Sequence, residues 1–556
     1  MALQYIGARY VPRFMGTHDN TQVYEALDVV DNGLGTSYIA KIPTPAGTPL
    51  TNTTYWALYG ASSGAIVNLQ NQIDDMKDGT VPGSLQEQIN TNTSGITALT
   101  NGLTPLIGGY VTPEAYGAEG DGVTDDTAAI NACLAHGGYI IFKAGATYMV
   151  DAETNLLVES DSVIDLNNAT IKAIPNSNDY YNIFMIDGKH NVVIKNGTII
   201  GDKDNHGSLT GEWGYGVYVH ESKDVILENL NISKCWGDGI AITSHSVTPQ
   251  ISNNIHVNDC TIRECRRQGI SVMWCYDVFI DGNLIEDIGG TAPGGAIDVE
   301  PNPNQSTNHI IITNNMMYNC IHGLIISGAA TGATLDNVIV DGNIIKNDNA
   351  TQAQISVAKG SNIKITNNDI EVTTSTVGFM SLSRATDFVF EGNTLHDSNN
   401  TGNGLYISGS SGVVRGNYFV NYTISYNLLY LNESTGISVV DNTFNGCSTD
   451  GSHFIVNLLG SSGVPLEKCN ISHNHIVDCT TKTAVYLAGY CIDNHIVNND
   501  IRGTYDYTIS SNTATNSDNV AAFNDIKSGS SGNITGYGGT FPGTKAANII
   551  DGVYTA

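Results

Sequence analysis

Positive charge is scarce in this sequence. Only 24 lysines and arginines stand against 54 aspartates and glutamates, a formal net charge of -30 over 556 residues. A nucleic-acid binder needs a basic footprint, so that class of partner is excluded. The same imbalance repels a polyanionic substrate unless local arginines or a bound cation focus it. Long apolar runs are missing too, and no stretch reaches the length that spans a bilayer, so membrane insertion is not expected. Cysteine is sparse, at ten residues with no CxxC or zinc-type spacing, and no metal site is expected from them. Cys235, Cys260, Cys265 and Cys320 fall at repeat-equivalent positions, which predicts buried reduced thiols. The opening Met1-Ala-Leu-Gln-Tyr-Ile-Gly-Ala-Arg9 has no signal-peptide pattern. Together these predict a protein made in a reducing compartment, or released by lysis rather than secretion.

What is present is glycine, 60 residues of it, with charged residues at only 14%. That composition points to a turn-rich, all-β body. Residues 1–60 carry aromatics between turn residues: Tyr24-Glu-Ala-Leu-Asp-Val-Val30, Ser37-Tyr-Ile-Ala-Lys41, then Tyr55-Trp56. This predicts a small three-stranded β module. Its aromatics either stack on sugar rings or form the core of a domain that attaches the protein to a larger particle. Over 61–108 the period becomes helical. Ile66, Leu69, Ile73 and Met76, then Leu85, Ile89, Asn92, Ile96, Leu99 and Leu103, step by three and four. These heptads predict a coiled-coil neck bundling parallel chains, three of them, with a lone amphipathic hairpin as the alternative.

From 109 to 534 the chain repeats. An asparagine ends a strand-turn unit at Asn229, Asn283, Asn315, Asn343, Asn368, Asn393, Asn417, Asn442, Asn474 and Asn499, mostly 24 to 32 residues apart, with Cys260 in the one wide gap. That period with glycine-asparagine turns predicts a β-solenoid of roughly a dozen coils, its asparagines in the left-handed conformation with stacked amides. The segment Val111-Thr-Pro-Glu-Ala-Tyr-Gly-Ala-Glu-Gly-Asp-Gly-Val-Thr-Asp-Asp-Thr-Ala-Ala-Ile130 reads as a strand, a turn and a helix capped by Thr124 or Asp125. A buried strand follows over Gly137–Gly145. Residues 535–556 read as a capping segment.

Three segments carry the chemistry: Trp236-Gly-Asp-Gly-Ile-Ala-Ile242, Arg266-Arg-Gln-Gly-Ile-Ser-Val272 and Gly295-Ala-Ile-Asp-Val-Glu300. Aligned on Ile240, Ile270 and Ile297 they form one short strand on successive layers, about 4.8 Å apart. That register sets Asp298 above Ser271 and Ala241. Asp298 and Glu300 are then expected to point outward together, with Cα atoms about 6.5–7 Å apart. Such a carboxyl pair suits glycosidic hydrolysis, one acid protonated and one activating water, with a weak lean to the inverting course. Asp238 is a third candidate catalytic acid. Arg266 and Arg267 are candidates to hold a substrate carboxylate or phosphate, Gln268 to bind hydroxyls, and Glu212 and Trp213 to border the groove. His220 is a weaker substrate-binding candidate, and His245 weaker still. Structural readings compete. Asp238 fits a Gly-Asp-Gly turn, Glu300 a solvated strand end before Pro301, and an arginine–Asp298 pair a plain surface ion pair. His206, His309 and His322 read as solvated or turn-stacking residues.

Two resemblances add to this. The N-terminal aromatic pattern resembles small carbohydrate-binding modules of chitinases over about 40 residues. The 111–145 segment resembles the opening of the pectate-lyase-like right-handed parallel β-helix superfamily, which includes many phage tailspikes. The second resemblance implies a right-handed single-stranded parallel β-helix. Together with the attachment module and neck it implies a homotrimeric phage or prophage receptor-binding protein. Such a protein is assembled in the host cytoplasm and carried on the virion tail or baseplate through its N-terminal region. It acts on a bacterial cell-surface polysaccharide or teichoic-acid-type glycan. Gly237–Ile242 and Gln268–Val272 are similar to the polygalacturonase strands, but Gly239 replaces that family's second aspartate and Gln268 its histidine, which weighs against polygalacturonase chemistry. The pectate lyases of the superfamily use an arginine base beside Ca²⁺, so Arg266 or Arg267 with Asp238, Asp298 and Glu300 keeps a Ca²⁺-assisted polysaccharide lyase open. For a hydrolase no cofactor is expected. A pure adhesin is the non-catalytic alternative.

Overall fold

The computed structural model describes residues 12–34, 36–61 and 109–526, less 246–249, 349–350, 376–377, 379, 397–398 and 513–514, together with four short strands between 532 and 555. Residues 62–108, which bear the expected neck, lie outside the described residues, as does the Gly536–Pro542 break. The chain forms two compact units, Met1–Gly102 and Leu103–Ala556.

The first unit has four strands where the sequence pattern predicts three. Arg13–Thr17 runs parallel to Asp28–Asp31, and Thr36–Ala40 and Trp56–Ala61 continue the sheet antiparallel. Arg13 accounts for the extra strand: its guanidinium donates two hydrogen bonds to Asp28, at 2.7 and 2.8 Å, a forked geometry that orients as well as attracts. Tyr24 and Trp56 are buried with Val30 and Ala40, and His18 stacks on Tyr24. Those two aromatics are this unit's core, not a sugar platform.

The second unit is a parallel β-solenoid of about 16 turns, more than the dozen expected. At about 4.8 Å per turn it extends on the order of 75 Å. Three parallel ladders of strands line it, and alternate residues of most described strands point into one continuous apolar core. Before the first full turns lies the helix Thr127–Leu134, which buries Ile130, Cys133 and Leu134 against that core. Its N-cap is Asp126, not Thr124 or Asp125. The Asp126 carboxylate instead accepts the Glu119 and Gly120 amides, at 2.7 and 3.2 Å, while Asp125 accepts the Thr127 amide. The last described strands turn back, Val553–Thr555 pairing antiparallel with Asn548–Ile550.

The asparagine column is built as the repeat suggests, with one shift. From Asn283 through Asn315, Asn343, Asn368 and Asn393, each side-chain amide donates to the next asparagine's Oδ1 at 2.9–3.0 Å, and that same oxygen accepts the backbone amide. Cys260 starts the column by donating its amide to Asn283 Oδ1. The left-handed residue is the one before each rung: Gly282, Asn314, Gly342, Asn367 and Gly392 have φ of 69°, 56°, 67°, 56° and 66°. Asn229, at φ 51°, belongs to that preceding position, and its amide reaches Asn196 instead. All ten cysteines are buried free thiols.

Candidate functional site

One of the three ladders carries the residues of interest. Its rungs are Tyr180–Asp187, Trp213–His220, Ile240–Thr243, Ile270–Val272, Gly295–Val299 and His322–Ser327. The three-strand register is as expected: Ile240, Ile270 and Ile297 are partners, and Ala241, Ser271 and Asp298 form the outward row. That row extends back through Tyr218 to Met185. The sequence alignment on three strands stopped short of those two rungs, although the same alternation runs through them.

The outward row is not an open groove. Asp298 is only 4% exposed and Asp238 is 0% exposed; of the three acids only Glu300 is exposed. Gln268 explains the burial of Asp298. It is itself buried, its Nε2 donates to Asp298 Oδ2 at 2.5 Å, and its Oε1 accepts the Gly295 amide at 2.7 Å. A Cβ at residue 295 would sit 2.8 Å from that Oε1, so glycine is what admits the side chain. Gln268 is thus a clamp rather than a free binder of hydroxyls.

Asp238 is held on every side. Arg267 Nη1 lies 3.0 Å from its Oδ2, Ser271 Oγ donates at 2.7 Å, and the Gln268 amide also points at the carboxylate. Burial still pushes its pKa up to about 6, against the pull of Arg267 and Ser271. Both of its oxygens accept hydrogen bonds, and it anchors Arg267. Asp298 differs. Burial first, then the nearby Glu300, hold its carboxyl well above the usual range, with Arg267 opposing. Its Oδ1 is buried and has no hydrogen-bond partner. An acid whose burial favours the protonated form, with an uncommitted oxygen, is equipped to give a proton away.

The two arginines are engaged by the protein. Arg266 lies 3.9 Å over the Trp236 ring and donates to the Gly211 carbonyl at 2.7 Å. Trp236 is buried, stacked with His206, and its Nε1 donates to the Thr210 carbonyl at 3.0 Å. This knot pins the 209–213 loop. It makes Arg266 structural and His206 buried, not solvated. Beyond the knot, Trp213 is 47% exposed and Tyr180, its partner on the adjacent rung, 51%. Glu212 Oε2 stands 3.6 Å from Arg267 Nε, a nitrogen that has no hydrogen-bond partner of its own. The structure therefore gathers Glu212, Trp213, Arg267, Gln268, Asp238 and Asp298, with Glu300 two residues beyond.

His220 stands apart. It is three rungs from Glu300 in the neighbouring row, about 14 Å, hydrogen-bonded to Asp187 at 2.6 Å and stacked on Tyr218. Outside the sheet's acid cluster, His309 pairs with Asp277 and His322 with the Ala353 carbonyl. The tyrosines Tyr180, Tyr215 and Tyr218 were not singled out from sequence; Tyr215 and Tyr218 stack at 5.4 Å and wall the row that contains Asp298. Among the described residues no group of three or more His, Cys, Asp or Glu side chains is arranged to hold a metal ion. No described helix is long and apolar enough to cross a membrane.

Several known proteins are similar to this chain. The chain is 32% identical over 214 residues to the uncharacterized protein YclG of Bacillus subtilis, 33% of this chain and 37% of that protein. It is 31% identical over 173 residues to the SPbeta prophage-derived uncharacterized protein YorA of Bacillus subtilis, 28% of each chain. A capsule KN3-specific depolymerase of Klebsiella phage KN3-1 is 25% identical over 197 residues, 34% of this chain and 22% of that one. The chain thus spans between 22% and 37% of the length of these relatives. Among solved structures, the N-terminal fragment of bacteriophage phi29 gene product 12 has a TM-score of 0.47 at 14% identity, covering 84% of this chain and 98% of that one. The family pattern described as the right handed beta helix region matches residues 151–305 and 294–444, more than half of the sequence. The chain belongs to the right-handed β-helix family.

Proposed function

We propose that this chain is the glycan-acting β-helix of a phage or prophage tail spike, which binds a bacterial surface polysaccharide and cleaves it by glycosidic hydrolysis. The observation that carries the reading is Asp298: buried, its carboxyl pushed above the usual range by that burial, with Oδ1 uncommitted, two residues from the exposed Glu300. In this reading Asp298 protonates the leaving oxygen and Glu300 activates water, their strand spacing of about 6.5–7 Å favouring inversion. Trp213 and Tyr180 offer apolar faces to sugar rings. Asp238 and Arg267 position the site. Because both arginines are engaged by the protein, a polysaccharide fits better than a teichoic-acid-type polymer. The depolymerase and the prophage-derived relative support a role on a phage particle. Attachment through the N-terminal unit and a trimeric neck over 61–108 complete the proposal.

A second reading, binding without cleavage, is favoured by the Arg267 and Gln268 cover over the buried acids. The experiment is incubation of wild type and the Asp298→Asn/Glu300→Gln variant with surface polysaccharide from candidate hosts, with product size read by chromatography. Shortening by wild type that is lost in a folded, still-binding variant supports hydrolysis at this site. Shortening by both proteins removes Asp298 and Glu300 from the chemistry. Binding without shortening by either selects the adhesin.

A further inference from the structure

The row that contains Asp298 continues along the same sheet. Its partners in register are Ile325, Ser356 and Ser381, then Tyr406, Tyr430, Asn457 and Tyr486, then Ser510. Aromatic side chains are confined to Tyr406, Tyr430 and Tyr486 within four consecutive rungs of that stretch. They begin four rungs from Asp298, about 19 Å along the solenoid. We propose that Tyr406, Tyr430, Asn457 and Tyr486 form a second glycan-binding subsite, which takes an uncharged stretch of the polymer whose cleavage is proposed above; it rests on that reading for its ligand.

Three features support this. The three tyrosines are half-buried, each showing part of its ring at the surface. Tyr406 and Tyr430 lie 5.3 Å apart, and Tyr486 is backed by Phe454 at 3.9 Å. Such rings are rigid and present apolar area at small entropic cost. The rung between Tyr430 and Tyr486 is Asn457, which is 8% exposed and whose Oδ1 has no hydrogen-bond partner. A buried acceptor without a donor carries a desolvation cost that a ligand hydroxyl or amide would relieve. This four-rung stretch of the row bears no charged side chain; its members are tyrosine and asparagine, flanked by Ser381 and Ser510. Aromatic faces around one polar acceptor match a neutral sugar. A second copy of this chain is the other occupant to consider, and the oligomeric state of the variants separates it from a sugar.

The test is affinity electrophoresis of the intact protein in gels containing dextran, poly-N-acetylglucosamine, a neutral galactan or polygalacturonate. It uses wild type, Tyr406→Ala, Tyr430→Ala, Tyr430→Phe and the Asp298→Asn/Glu300→Gln variant. Thermal unfolding checks folding and light scattering checks oligomeric state. The expected result is retardation by a neutral polymer that weakens on the order of tenfold in either alanine variant, is kept in Tyr430→Phe, and is kept in the acid-site variant. Retardation by polygalacturonate alone, by no polymer, or equally in wild type and both alanine variants overturns the subsite. A change of oligomeric state in the alanine variants with unchanged retardation assigns the row to a subunit interface and also overturns it. Tyrosine-dependent retardation with no shortening of any polymer leaves the subsite standing and removes the hydrolase. Shortening that survives with retardation unchanged in the alanine variants does the reverse.

Discussion

Two rows of buried polar side chains run along this solenoid, and they are finished differently. In the asparagine column every amide from Asn283 to Asn393 donates to its neighbour, and every Oδ1 accepts in return. Around the acids, Asp298 Oδ1 and Arg267 Nε are buried with no hydrogen-bond partner. A polar group that is buried and satisfied belongs to the scaffold. One that is buried and unsatisfied carries a desolvation cost that a ligand or a proton would relieve.

The comparison can be broken most directly at Asp298. Asp298→Asn should lower cleavage by about three orders of magnitude while leaving the fold intact. Because burial raises the folded pKa of Asp298, wild-type stability attributable to it is full below the unfolded carboxylate value near 4 and falls as pH rises towards the folded value. The neutral amide of the Asp298→Asn variant carries no such loss. The variant should match wild type in acid and exceed it near neutrality, as urea midpoints across pH would read. A variant less stable than wild type at neutral pH would sink the protonated-acid assignment.

Next in size is Arg267→Met. It removes the partner of a fully buried carboxylate, so about 3 kcal/mol of stability should be lost, and Asp238, already pushed up to about 6 by burial, should titrate higher still. Chemical denaturation at two pH values would check both. In the scaffold row, Asn393→Ala should cost about 2 kcal/mol, since it strands the Asn368 amides and the acceptor chain beyond. It should leave glycan cleavage unchanged in the folded protein. Smallest is Glu212→Gln. Its 3.6 Å approach to Arg267 is made by a side chain 45% exposed, so less than about 1 kcal/mol should change, with an effect on glycan affinity larger than on unfolding.

Much of this was readable from the chain alone. The rung register over Ile240, Ile270 and Ile297 and the asparagine column follow from local rules: a period of two along each strand and turn residues at fixed offsets. A solenoid repeats those rules turn after turn, so errors stay local. Asn229 slipped by one position because Leu230 replaces the rung asparagine there, and the count of coils fell short because the earliest turns carry Ala146, Ala169 and Gly197 where later turns carry asparagine. In the N-terminal unit the fourth strand was missed because Arg13–Thr17 is exposed along its length and shows no apolar alternation.

The sequence by itself therefore determined the family of fold, the columns and which acids share a sheet, since each depends on residues within one or two turns. Tertiary structure alone decided what those acids are. Gln268 reaches Asp298 and the Gly295 amide, Arg267 reaches back to Asp238, and Arg266 with Trp236 ties down the loop that sets Glu212 and Trp213 beside them. Side chains from different turns close over an alternation that, read strand by strand, points to open solvent. Burial is a property of that closure, and it is burial that turns Asp298 from a surface carboxylate into an acid that holds its proton.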